Sequence, residues 1–75
     1  MPYVAIKAYP KDKETKEKLV ERINEVFLEV WGCPPEAISI SLEEVAPSDW
    51  VEKVQKPEVD ANKDKMMIYS GEKKF

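Results

Sequence analysis

The chain has 75 residues, room for one domain, with 12 Lys and Arg against 15 Asp and Glu for a net charge of −3. That balance gives no reason to expect nucleic acid as a partner, and 43% apolar residues argue against disorder. No apolar run approaches the ~20 residues that span a bilayer, and no basic segment leads into a long apolar stretch, so a cytoplasmic location without membrane contact is expected.

Tyr3 to Tyr9 alternate, with Val4, Ile6 and Ala8 on one face, which predicts a strand closed by Pro10. Asp12 is a good N-cap for a long helix. Leu19, Val20, Ile23, Val26, Phe27, Val30 and Trp31 fall at helical spacing, and Trp31 is expected in the core. Gly32 supplies the stop, and Pro34-Pro35 prevents continuation. Ile38, Ile40 and Leu42 then alternate against Ser39, Ser41 and Glu43 through Val45, a second strand. Strand, helix, strand is a βαβ unit, whose crossover makes the strands parallel. Ser48 can cap a short helix from about Asp49 to Gln55, with Pro57 as breaker. Met66 to Tyr69 suits a short strand and Ser70-Gly71 a turn. The expected class is therefore α/β (α+β): one domain, residues 1–75, with a β-α-β core over about 2–45 and a short helix and tail over about 46–75.

Chemistry is narrowed by what is missing. Without His there is no imidazole acid–base catalysis, and Cys33 alone builds neither a disulfide nor a metal cage. With Gly32 and Gly71 the only glycines, no phosphate-cradling loop can be written. Catalysis falls to carboxylates, lysines, a tyrosine or a chain terminus. Two parallel strands under one helix also leave a sheet face and both edges open. Extension of the sheet by a second copy is the simplest remedy.

Met1-Pro2 opening into an apolar strand, the β-α-β unit, and Trp50 after Pro47-Ser48-Asp49 together resemble the 4-oxalocrotonate tautomerase family. The register fits without a gap from about Lys11 to Trp50. Ile6-Lys7-Ala8-Tyr9-Pro10-Lys11 and Ile38-Ser39-Ile40-Ser41-Leu42 are most similar to its dimeric PptA-like subgroup. The resemblance implies a cofactor-independent keto–enol tautomerase acting on a small enol or keto acid, a 2-hydroxydienoate or an aryl enolpyruvate such as phenylenolpyruvate. It also implies a homodimer, with a hexamer as the alternative and the tail after Trp50 covering the surface through which other members build hexamers.

Pro2, freed by loss of Met1, would be the general base. A free α-amino group titrates near ~8, and an apolar pocket beside a cation lowers that toward neutrality. Proline in second position is otherwise simply an ordinary chain start. Lys11 stands where the family has a carboxylate-binding arginine; the alternative is a solvated lysine. Ser39 replaces a second arginine, which disfavours dicarboxylate substrates. Trp50 matches an aromatic pocket residue, against the alternative of a core anchor. Two other functions stay open. One is a hydratase or dehalogenase that keeps Pro2 and uses Glu43 or Glu44 to activate water, and the other is a non-catalytic oligomeric scaffold.

Overall fold

The computed structural model describes all of residues 1–75. Strand β1 (Tyr3–Ala8) pairs with β2 (Ser39–Glu44) in parallel, from Tyr3 opposite Ser39 to Ala8 opposite Glu44. Val4, Ile6 and Ala8 are half-buried and their neighbours Tyr3, Ala5 and Lys7 exposed, the period-two pattern of a sheet covered on one face. Helix α1 (Lys13–Val26) joins the strands and packs against β2. Its cap is Asp12, whose carboxylate accepts the Thr15 backbone N–H at 3.0 Å and the Thr15 hydroxyl at 2.7 Å.

A π-type turn, Phe27–Trp31, extends the helix to Gly32, whose N–H reaches back to the Phe27 carbonyl at 3.1 Å. Gly32 adopts φ 77°, and open space surrounds the place a Cβ would take. Glycine is needed there for its left-handed backbone and not for room. A 3₁₀ turn, Pro35–Ala37, which the alternation does not disclose, then leads into β2.

The half-buried positions of the helical segment are Lys16, Val20, Ile23, Asn24, Phe27 and Leu28, one stripe at spacings of three and four. The apolar stripe expected from the sequence is wider than the one the chain covers. Leu19, Val26 and Val30 are exposed, and Trp31, expected in the core, is 69% exposed. Trp31 is the last residue before Gly32 ends the helical segment in a left-handed turn, so no further helical turn follows to cover it.

Residues Val45–Phe75 form a separate compact unit from Met1–Glu44. Its helix α2 (Pro47–Trp50) begins at Pro47 with Ala46 as cap residue, so Ser48 is not the cap. Proline fits the first helical position because that N–H has no partner in any case. The segment does not break at Pro57. It continues as π-type turns over Val51–Val59 and a 3₁₀ segment, Asp60–Lys65. Past the proline, the Asp60 N–H bonds both the Gln55 and Lys56 carbonyls, five and four residues back. This widening accommodates the ring and the missing donor that would interrupt a regular α-helix.

Strands β3 (Ile68–Tyr69) and β4 (Glu72–Lys73) close an antiparallel hairpin. Its two turn residues, Ser70 at φ 48° and Gly71 at φ 83°, both take positive φ, as a tight hairpin turn with the right twist demands. Val45 and Val54 are buried in this unit, but Met67 and Ile68 are exposed, so they are not packed within the chain. No helix is long and apolar enough to cross a membrane.

Candidate active site

The β1–β2 pair fixes where three of the four candidate residues stand. Pro2 precedes β1, and its carbonyl accepts the Ser39 N–H at 3.2 Å, so the two lie together at the N-terminal ends of both strands. Pro2 is half-buried, whereas Met1 in front of it is 99% exposed. Lys11 follows the opposite end of β1. Five strand steps at ~3.3 Å put the two ends ~16 Å apart, so Pro2 and Lys11 of one chain cannot touch the same small substrate.

Lys11 is held by its backbone. Its N–H donates to Glu44 Oε2 at 3.0 Å, and the same oxygen meets Lys16 Nζ at 3.1 Å. The Lys11 ammonium itself makes no salt bridge; its field contributes, behind the two Thr15 hydrogen bonds, to lowering the Asp12 carboxyl from its ordinary 3.8. Glu44 is lowered from 4.5, first by the Lys11 N–H and then by Lys16. A carboxylate so engaged is a poor base, which counts against Glu44 as a water activator. Lys16 is not one of the apolar residues that the helical spacing picks out, so the spacing gives it no partner. Only the strand register, which sets Glu44 opposite Ala8, reveals the clasp.

Trp50 belongs to the second unit, where its indole N–H points at Gln55 Oε1 at 3.4 Å. Gln55 Nε2 donates to Asp60 Oδ1 at 2.8 Å, and the Tyr69 hydroxyl donates to the same oxygen at 2.7 Å. Trp50 is half-buried, between the pocket and core alternatives. Elsewhere, Val26, Phe27, Val30 and Trp31 line an apolar groove of about 180 Å³. It holds no titratable group and so offers no acid–base chemistry. No three His, Cys, Asp or Glu side chains converge where they could hold a metal ion.

A strand opened by Pro2, a crossover helix and a parallel return strand are the frame the resemblance implies. The sequence model described as "Tautomerase enzyme" matches residues 2–58. The chain belongs to the tautomerase family. Two tautomerase relatives support the assignment over nearly the whole length. A "Probable tautomerase" of Xylella fastidiosa (strain 9a5c) is 25% identical over 72 residues, 95% of this chain and 88% of the relative. "Tautomerase PptA" of Enterobacter sp. (strain 638) is 30% identical over 73 residues, 95% of this chain and 96% of the relative. As a tautomerase this chain is an isomerase, and its fold class is the mixed α/β one with a parallel strand pair.

Proposed function

We propose that the protein is a keto–enol tautomerase that uses the amine of Pro2, exposed by removal of Met1, as its general base on a small aryl or monocarboxylate enolpyruvate. The observation that carries this reading is that the family match begins at Pro2, the residue that leads into β1. Met1 is open to solvent and accessible to an aminopeptidase, and the Ser39 N–H fixes the peptide that follows Pro2. The amine takes the enol O–H proton and delivers a proton to the neighbouring carbon, leaving the ketone, with no net change in redox state. A base titrating near the working pH is the effective one, worth ~10²–10⁴-fold.

Lys11 is the carboxylate's partner in this reading, and Trp50 lines the pocket for the aryl group. Because Pro2 and Lys11 lie at opposite ends of β1, the Lys11 that meets a given Pro2 comes from a second copy of the chain. The open sheet edges and the exposed Leu19, Val26 and Val30 support assembly, as a homodimer with a four-stranded sheet. With Ser39 neutral, monoacids suit the site better than diacids. A small-molecule enzyme of this kind, without membrane-crossing helices, suits the cytoplasm.

The test compares two preparations on phenylenolpyruvate, one processed and one with Met1 retained, each verified by mass spectrometry. The processed protein should turn over and the Met1 form should not, since an amide nitrogen carries no available lone pair. Equal activity in both would overturn the role of Pro2.

A further inference from the structure

Glu44 stands at the last position of β2, in register with Ala8 at the end of β1. From there the chain runs only three residues to Lys11, through Tyr9 and Pro10. A single Glu44 oxygen accepts the Lys11 backbone N–H and pairs with Lys16 in the first turns of α1. The other end of this short loop is fixed by Asp12, which caps the same helix through Thr15. The loop is therefore pinned on both sides of Lys11, while the Lys11 ammonium makes no salt bridge and is left to meet an anion.

We infer that Glu44 is the positioning residue of the carboxylate-binding loop: it fixes the Lys11 backbone to the end of β2 and, by engaging Lys16, leaves Lys11 as the cation the loop offers to substrate. The inference rests on the reading of Lys11 as the carboxylate's partner. It gives Glu44 no contact with substrate and no part in proton transfer. Glu44 pairs with Lys16, and Asp12 caps the helix through Thr15 at an end that favours a carboxylate, which leaves the Lys11 ammonium outside both contacts. Binding energy gained from a charged group depends on its being held in place before the substrate arrives.

The experiment measures kcat and KM for phenylenolpyruvate in the processed enzyme, for Glu44→Ala, Glu44→Gln, Lys11→Ala and the double variant Lys11→Ala/Glu44→Ala. Glu44→Ala should raise KM about three- to tenfold and leave kcat within about twofold, the size an exposed clasp of this kind supports. Glu44→Gln keeps an oxygen for the Lys11 N–H and should recover most of that loss. The double variant should match Lys11→Ala, because a loop without its lysine has nothing to position. Wild-type KM in Glu44→Ala, or additive losses in the double variant, would overturn the inference. If Lys11→Ala is silent, the carboxylate role of Lys11 fails and the inference falls with it. If Lys11→Ala is impaired and Glu44→Ala is not, the positioning role alone fails.

A measurement on the unsubstituted protein covers the case in which the variants do not fold. The Lys11 amide resonance should follow the Glu44 carboxyl as it titrates in acid, while the Thr15 amide follows Asp12. A Lys11 amide indifferent to that titration overturns the clasp.

Discussion

Residues 1–44 hold the regular part of the molecule, two paired strands and a helix of four turns, and yet they leave Val30 80% and Trp31 69% exposed. Residues 45–75 contain little regular structure, but link it by side chains: Trp50 to Gln55, Gln55 to Asp60, Tyr69 to Asp60, with Lys63 over the Tyr69 ring at 5.4 Å. The first unit has an amphipathic helix and an open sheet, and it leaves Leu19, Val26, Val30 and Trp31 exposed, the apolar face that the proposed second copy would cover. The second has too few apolar residues in series for that and closes its turns with hydrogen bonds instead. A region rich in secondary structure can thus be the one more dependent on its neighbours.

The largest effect expected falls on the first unit. Pro2→Ala, once processed, still presents an amine, but a primary one without the ring that fixes the lone pair. We expect a fall in kcat/KM of about tenfold or more that leaves a measurable rate. The ascending limb of the pH profile of the unsubstituted enzyme should lie below the ~8 of a free α-amino group. A Pro2→Ala enzyme at full rate would remove the chemistry from this unit and with it the functional half of the comparison.

Next in size is Lys11. One charged hydrogen bond contributes roughly 1.5–3 kcal/mol, so Lys11→Ala should lower kcat/KM for phenylenolpyruvate about tenfold to a hundredfold. In the unsubstituted enzyme a monoacid should be preferred over a diacid. A mutant equal to wild type would make Lys11 a surface lysine, and preference for the diacid would require a second cation in place of Ser39.

Association sharpens the contrast between the units. Val30→Asp changes a side chain exposed within the chain, so a lone subunit should tolerate it. If a second copy covers that face, the variant loses burial worth about 1.5–3 kcal/mol per chain, and sedimentation should show dissociation at concentrations where the parent is a dimer. Phe75→Asp, an equally exposed apolar site in the second unit, serves as the control. Equal behaviour of the two variants, or a parent that sediments as a monomer, would defeat the claim that the first unit is completed by a partner. A hexamer would defeat the dimer.

How far the sequence discloses each unit follows the same division. In the first, period-two alternation, Asp12 as cap and Gly32 as stop are local signals, and the structure keeps all three. Trp31 was misplaced because helical spacing says which residues share a stripe and not how much of that stripe is covered. In the second, Pro57 reads as a breaker because its effect depends on the turn type around it, which no local pattern encodes. Asp60 and Tyr69 are nine residues apart and meet because the chain turns back through the 3₁₀ segment Asp60–Lys65 and extended Met66, a path no local pattern encodes. For the proposed site, Pro2 is singled out by the family resemblance and not by its place before an apolar strand, which is also an ordinary chain start. That Pro2 and Lys11 stand at opposite ends of one strand follows from the strand itself, but that Glu44 clasps the Lys11 loop depends on the pairing register, which sequence spacing alone does not give.

The smallest effect expected separates the units by pH. Asp12 and Glu44 in the first unit are both lowered, from 3.8 and 4.5. A lowered acid contributes stability present above its unfolded value and lost as pH falls through the folded one, so these two groups make this unit weaken in acid. In the second unit Asp60 is lowered from 3.8, first by the Tyr69 hydroxyl and then by Gln55, and adds a similar acid limb. Tyr69 is raised from 10.0 by the same hydrogen bond to Asp60. Its contribution is complete below 10.0 and is lost as pH rises through the folded value, because the phenolate has no proton to give Asp60. The second unit should therefore weaken at both extremes. The two tryptophans divide between the units, so in Trp31→Phe the fluorescence of Trp50 reports the second unit alone. Adding Tyr69→Phe should abolish the alkaline limb and flatten the acid limb only in part, since Gln55 still donates to Asp60. The carboxylates are exposed and Tyr69 is half-buried, so all are screened and the shifts in Tm should stay within about 3 °C. An alkaline limb that survives Tyr69→Phe would mean that the Tyr69–Asp60 bond does not hold this hairpin.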